Sequence, residues 1–213
     1  MEELKLYCRI EEEETGNESR ITILSDARFR KAQTGDGLTN DELFATFVLF
    51  LIAGQENLTS LLSNGLIALL ENPAQLKLLQ QGTVSWENGV HELMRYITPN
   101  QFIGRTALAN MKLRGKSIQK GETVALVLAA ANRDAEQFTD PNSLSVTRPH
   151  RWTLVLGHGI HYCLGAPLAQ LESEITFSRL FTRFPKIRRA SDLLEYENNF
   201  NVRLLKSLPI VLV

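Results

Sequence analysis

The chain has 213 residues, 23 basic against 24 acidic side chains, a formal net charge of −1, and apolar and charged shares of 44% and 22%. That length suffices for one domain with a real core, and the near-balance of charge points to neither nucleic acid nor an anionic membrane as a partner. Its two cysteines, Cys8 and Cys163, form neither a metal-finger spacing nor a disulfide framework, so a reducing cytoplasm is the expected setting.

The stretch from Met1 to Glu14 is acidic and has no apolar core, so no signal peptide is expected. Glu11 to Glu14 form a charge run of the kind found on a solvated face. Residues 21–31 read as a short helix and residues 34–37 as a loop. The clearest helix follows. Thr39 and Glu42 have capping-box spacing, in which each side chain reaches the other's free backbone N–H. The helix is expected to run through Leu70 and stop at Pro73. It carries the longest apolar stretch, from Leu43 to Gly54 and broken only by Thr46, well short of the ~20 apolar residues of a membrane span. This stretch reads as a helix buried on all sides, and no span is expected.

Asn72 and Pro73 cap and start a second helix ending near Gly82. A third begins near Ser85 and ends before Pro99. Residues 101–130 have the texture of strands, with turns between 112 and 121 and a short apolar run over 123–130. Residues 132–150 read as an irregular loop. Ala166 and Pro167 open a helix reaching about Phe184, and residues 200–213 read as a β-hairpin with Pro209 on an exposed edge.

The most informative stretch is Gly157-His158-Gly159-Ile160-His161-Tyr162-Cys163-Leu164-Gly165. Glycine permits unusual backbone angles and lets a bulky flat group come close. A thiol at a helix N-terminus feels the positive end of the helix dipole, which favours thiolate, and backbone N–H groups aimed at the sulfur tune a metal–thiolate centre. The residues alone leave two other readings open: a structural cysteine beside a glycine turn, or a cysteine nucleophile assisted by His158 or His161. Glu92 and Arg95 share a face of the third helix and can pair. Ala53-Gly54-Gln55-Glu56-Asn57 makes a polar notch in the long helix.

The pattern Gly-x-Gly-x-His-x-Cys-x-Gly, followed by Leu168-Ala169, resembles the cysteine-ligand signature of the cytochrome P450 haem-thiolate monooxygenases of the soluble bacterial type. The resemblance runs from about Leu38 to the C-terminus. It implies a mainly α fold with small β-sheets: a long central helix, a Glu-x-x-Arg helix, a cysteine-ligand loop with its following helix, and a C-terminal β-hairpin. It further implies a truncated version of that fold, in which residues 1–37 match weakly and residues 38–213 form the haem-binding portion.

By the same resemblance Cys163 ligates the iron of haem b (iron-protoporphyrin IX). Leu156, Gly157, Gly159, His161 and Gly165 shape its loop, and Arg105 pairs with a propionate. Glu92 and Arg95 join Arg148, in Asp140-Pro141-Asn142-Ser143-Leu144-Ser145-Val146-Thr147-Arg148, as a buried ion triad. Ala53, Gly54, Glu56 and Asn57 occupy the oxygen-activation motif, the glycine leaving room over the haem and the polar pair relaying protons. Asn132-Arg133-Asp134 also fits. Four positions depart from the pattern: Asn57 stands for an alcohol, Leu156 and Leu144 for phenylalanines, and Thr153 for a histidine.

The implied activity is insertion of one oxygen atom of dioxygen into a small apolar organic substrate. Electrons would come from a ferredoxin- or flavodoxin-type donor docked by basic residues such as Arg148 and Arg151. Leu49, Ile52 and Phe102 are candidate pocket lining. A haem-binding or scaffold protein without turnover, needing a missing N-terminal half or self-association, is the second reading. A remnant that does not fold is the third, and the intact caps, turns and core patterning argue against it.

Overall fold

The computed structural model describes residues 37–149 and 152–213. Cys8, the acidic run at 11–14, the helix expected at 21–31, most of the loop expected at 34–37, His150 and Arg151 lie outside the described residues. Chain contacts divide the protein into two compact units, Met1–Gln55 and Glu56–Val213.

Helix α1 (Asn40–Glu71) crosses that division. Its capping box forms as expected: the Thr39 N–H donates to Glu42 Oε2 at 2.7 Å, and the Glu42 N–H donates to Thr39 Oγ1 at 3.3 Å. In the first unit the apolar run is not buried on all sides. Leu49 and Ile52 are 60% and 54% exposed, and Leu51 is exposed as well. Apolar side chains favour burial but supply no covering surface of their own. By length and composition α1 could cross a membrane, yet its second half is a core helix, with Ser60, Leu61, Asn64 and Leu66 to Leu69 buried.

The second unit is built on that buried half. Helix α2 (Pro73–Gln80) begins at a proline, whose missing N–H costs nothing in the first turn. Asn72 does not cap it through its side chain. Its Nδ2 instead donates back to the Ala68 carbonyl at 2.8 Å and closes α1. Helix α2 ends where Gly82 takes φ +69, with the N–H groups of Gly82 and Thr83 on the carbonyls of Leu79 and Leu78 at 3.1 and 3.0 Å. Helix α3 (Trp86–Ile97) is capped by Ser85, whose hydroxyl accepts from the Asn88 N–H at 3.2 Å.

Strand β1 (Ile103–Thr106) pairs antiparallel with β4 (Thr123–Leu126). Between them β2 (Met111–Leu113) and β3 (Lys116–Ile118) form a hairpin. Its two-residue turn, Arg114-Gly115, has φ +44 and +79, the twist such turns require. The apolar run expected as strand over 123–130 breaks at Leu126. Leu128–Ala131 is one turn of helix, α4, closed by Ala131 N–H and Asn132 N–H on the carbonyls of Val127 and Leu128. Residues 132–149 carry no helix or strand.

Helix α5 (Ala166–Arg183) completes the core. Its Phe177 and Phe181 are buried, and Trp86 of α3 stacks on both at ring separations of 6.3 and 5.7 Å. Gly65 of α1 lets this ring approach: a Cβ there would lie 2.9 Å from Phe177 Cζ. The C-terminal ribbon has different arms from the hairpin expected over 200–213. Strand β6 (Ile210–Val211) pairs antiparallel with β5 (Arg188–Arg189), and Tyr196 bridges to Leu205. Pro209 is exposed, and its carbonyl accepts from Ala190 N–H at 2.9 Å. The Ser60 hydroxyl and the Asn64 amide both donate to the Arg203 carbonyl at 2.8 Å, which ties this ribbon to α1.

Phe177→Ala should cost about 3–5 kcal/mol, because it empties the space between Trp86 and Gly65. Denaturant unfolding should show a lower midpoint with an unchanged slope.

Candidate functional site

The site is organised by a buried carboxylate. Glu92 and Arg95 sit one turn apart on α3, both buried, in a bidentate pair: Arg95 Nε to Glu92 Oε2 and Arg95 Nη2 to Glu92 Oε1, each 2.8 Å. Arg148, 53 residues beyond Arg95 in the sequence, brings Nε to 3.2 and 3.1 Å from the two oxygens of Glu92. The Ser145 N–H adds a bond to Glu92 Oε1 at 2.9 Å.

Two guanidinium groups against one carboxylate leave a net positive charge, which backbone carbonyls offset. Arg95 donates to the carbonyls of Asn132, Pro141 and Ser143 at 2.9, 2.8 and 3.2 Å. With the two bonds to Glu92, all five of its N–H donors are used. Arg148 also donates to the carbonyls of Thr139, Asp140 and Ser143. It is therefore committed to the loop it closes.

This centre reaches the cysteine loop through Asn132, whose role the sequence pattern did not disclose. Asn132 is buried, its Nδ2 donates to Thr98 Oγ1 at 3.0 Å, and its Oδ1 accepts from the Leu154 N–H at 2.8 Å. From there the loop holds itself. The Gly157 N–H donates to the Leu154 carbonyl at 3.0 Å, and the Cys163 N–H donates to the Leu156 carbonyl at 2.8 Å. Gly157 and Gly159 take φ +76 and +70, the region glycine enters without strain. A Cβ on Gly157 would press to 3.2 Å from the His161 carbonyl oxygen. A 3-10 turn at Gly159–His161 then leads to Cys163 just ahead of α5.

Cys163 is half-buried and in no disulfide. The rim around it is apolar and exposed: Ile160 is 97% exposed and Leu164 80%, with Leu168 beyond them. His158 packs edge-on against Trp152 at 6.2 Å, and His158 and His161 are exposed. Neither imidazole is bonded to the thiol, so a cysteine–histidine nucleophile is not assembled. No cluster of metal-ligating side chains occurs among the described residues.

Arg105 is exposed on β1, donates to the Gly104 carbonyl at 2.8 Å, and has no ion pair among the described residues. Ala53 and Gly54 are exposed at the end of the first unit, whereas Glu56 and Asn57 are half-buried at the start of the second. Asn57 Oδ1 is buried with no hydrogen-bond partner among the described residues. A lone thiol in an apolar rim, a loop that only glycine can follow, an unpaired arginine and an orphaned amide oxygen are a donor set that fits an iron-protoporphyrin.

The family model described as Cytochrome P450 matches residues 86–209. The chain is 44% identical to the protein named Cytochrome P450 CYP107DY1 of Priestia megaterium over 178 residues, which are 83% of this chain and 43% of that protein. Two solved structures are similar. One is CYP109E1 from Bacillus megaterium in complex with testosterone, with TM-score 0.89, 33% identity, and coverage of 98% of this chain and 58% of that one. The other is P450BioI in complex with an acyl carrier protein ligated to hexadec-9Z-enoic acid, with TM-score 0.81, 36% identity, and coverage of 89% and 52%. The chain thus spans about half the length of the proteins it matches.

Glu92→Ala should destabilise by about 3–5 kcal/mol, since it leaves two guanidinium groups in the protein without their counter-charge. Arg148→Ala should cost less, because the Glu92–Arg95 pair survives it. Equal unfolding midpoints for the two variants would contradict this ranking.

Proposed function

The chain belongs to the cytochrome P450 family, and on that premise we propose that it is the haem-thiolate portion of a monooxygenase. The observation that carries the reading is the cysteine loop, hydrogen-bonded through Asn132 to the Glu92–Arg95–Arg148 centre. Haem is the cofactor that membership implies. Held by the Cys163 thiolate, it would supply activation of dioxygen.

The chain's own residues would do the rest. Cys163 Sγ is the ligand, and Leu156 and its neighbours keep water from one side of it. The Arg105 guanidinium holds a propionate by its fork of donors. Gly54, without a side chain, would leave room for dioxygen. Glu56 passes a proton inward from solvent, and the Asn57 amide orients a water without itself titrating. An apolar small molecule is the substrate class this reading favours. The ligands named with the two similar structures, testosterone and a carrier-bound fatty acid, are of that kind. A ferredoxin- or flavodoxin-type donor would supply electrons from the cysteine-loop side, in the cytoplasm.

A second reading is favoured by one specific observation. Leu164, Leu168, Leu171 and Ile175 recur at helical spacing along α5 and its approach, and all are exposed. Such a stripe needs a cover. On this reading the chain binds haem but turns over only when further polypeptide, a separate half or a second copy, closes the site.

The reduced, carbon-monoxide difference spectrum after haem reconstitution tests the first part. A strongly red-shifted Soret band that disappears in Cys163→Ala is expected. No haem uptake, or the same band in both proteins, would remove the assignment of Cys163. Oxidation of an apolar test substrate with a surrogate reductase then separates the two readings.

A further inference from the structure

We propose that the end of the second unit formed by the last turns of α5, β5 and the terminal ribbon is a docking surface for an anionic lipid bilayer. Near-neutral total charge conceals a local excess there. Arg179, Arg183, Lys186 and Arg188 lie within ten residues and are all exposed. No carboxylate among the described residues pairs with any of the four, whereas their neighbour Arg189 is neutralised by Glu71 at 3.4 Å and Asp192 at 3.1 Å. Arg179 and Arg183 stand one turn apart on a single face of α5. Lys186 and Arg188 continue the patch past the helix end. The negative end of the helix dipole accounts for cations in the last turn, but not for Arg188 on a strand or for Arg179 a turn earlier.

Exposed apolar side chains are interleaved with these charges. The Lys186 N–H donates to the Val213 carbonyl at 3.1 Å, and Arg188 pairs with Val211 in the β5–β6 register. Leu212 and Val213 are therefore set beside the basic residues, with Leu193 close by in sequence, and all three are exposed. Long cationic side chains around short apolar ones make the composition of a membrane-surface patch: the charges meet anionic headgroups and the apolar tips enter the headgroup–acyl boundary. The proposal is independent of haem binding and of turnover.

Co-sedimentation of the full chain with vesicles tests it. Binding is expected to equal parts phosphatidylglycerol and phosphatidylcholine, not to phosphatidylcholine alone, and it should be released by high salt. Partitioning should weaken roughly fivefold for each charge removed in the series Arg183→Gln, Arg188→Gln and Lys186→Gln, as expected for about 1 kcal/mol per cation at such a surface. Unchanged unfolding midpoints in these surface variants keep the comparison clean. Three results would each overturn the proposal: no binding to either vesicle, as for a surface that serves an acidic protein; equal binding to both vesicles, which would place the contact on apolar faces elsewhere; or partitioning unchanged across the series.

Discussion

The carboxylate of Glu92 is the constraint on which the second unit depends. It is buried, so its charge must be matched inside the protein. The two arginines that match it come from different places: Arg95 from the same helix, and Arg148 from the far end of a loop without regular structure. A loop of this length has no hydrogen-bond ladder to hold it. Its carbonyls at Thr139, Asp140, Pro141 and Ser143 accept from the buried Arg95 and the half-buried Arg148, and those bonds in turn hold the guanidinium groups against Glu92. Neither half of this arrangement is stable without the other. The centre is thus a device for ordering loop backbone rather than a source of net stability.

From that centre order passes to the cysteine through one side chain. Asn132 gives its carbonyl to Arg95, its amide to Thr98 and its side-chain oxygen to Leu154. The end of α3 and the approach to the cysteine loop, far apart in sequence, meet at it. Beyond Leu154 the loop needs no outside help, because Gly157 and Gly159 let it turn tightly enough for the Cys163 N–H to reach the Leu156 carbonyl. The position of the thiol therefore follows from α3, even though no bond joins α3 to Cys163.

The parts legible in the sequence are those set by local chemistry. The Thr39–Glu42 box, the helix start near Ser85, Pro73 and the helix end near Gly82 are each set within a few residues, and each stands as expected. The parts that were not legible depend on distant partners. Residues 200–213 alternate well enough for a hairpin, but β6 finds its partner at Arg188–Arg189. Apolar composition made the first half of α1 a helix buried on all sides, while Leu49, Leu51 and Ile52 remain exposed. Asn132 stood in a recognisable pattern, yet nothing in its identity shows that its two ends serve different segments. In the candidate site, residue types were readable and spacing named Glu92 and Arg95. That the three Arg95 donors left over from Glu92 all go to backbone carbonyls has no sequence signature, because carbonyls belong to every residue.

The division between what is self-sufficient and what is not follows chemical lines. The ligand loop and the ion centre are held by short polar contacts to backbone, which a few segments can complete. Enclosing a reactive site requires area: water is excluded by continuous apolar cover, and the gain scales with the surface removed from solvent. The second unit buries one face of α5 on Trp86, Leu69 and Leu93. The opposite face of that helix, with Leu168, Leu171 and Ile175, and the Ile160–Leu164 rim of the thiol remain open. Ordering the cysteine loop and keeping water away from its thiol are thus separate tasks in this molecule. The polar contacts for the first are present among the described residues, and the second depends on whatever covers those two surfaces.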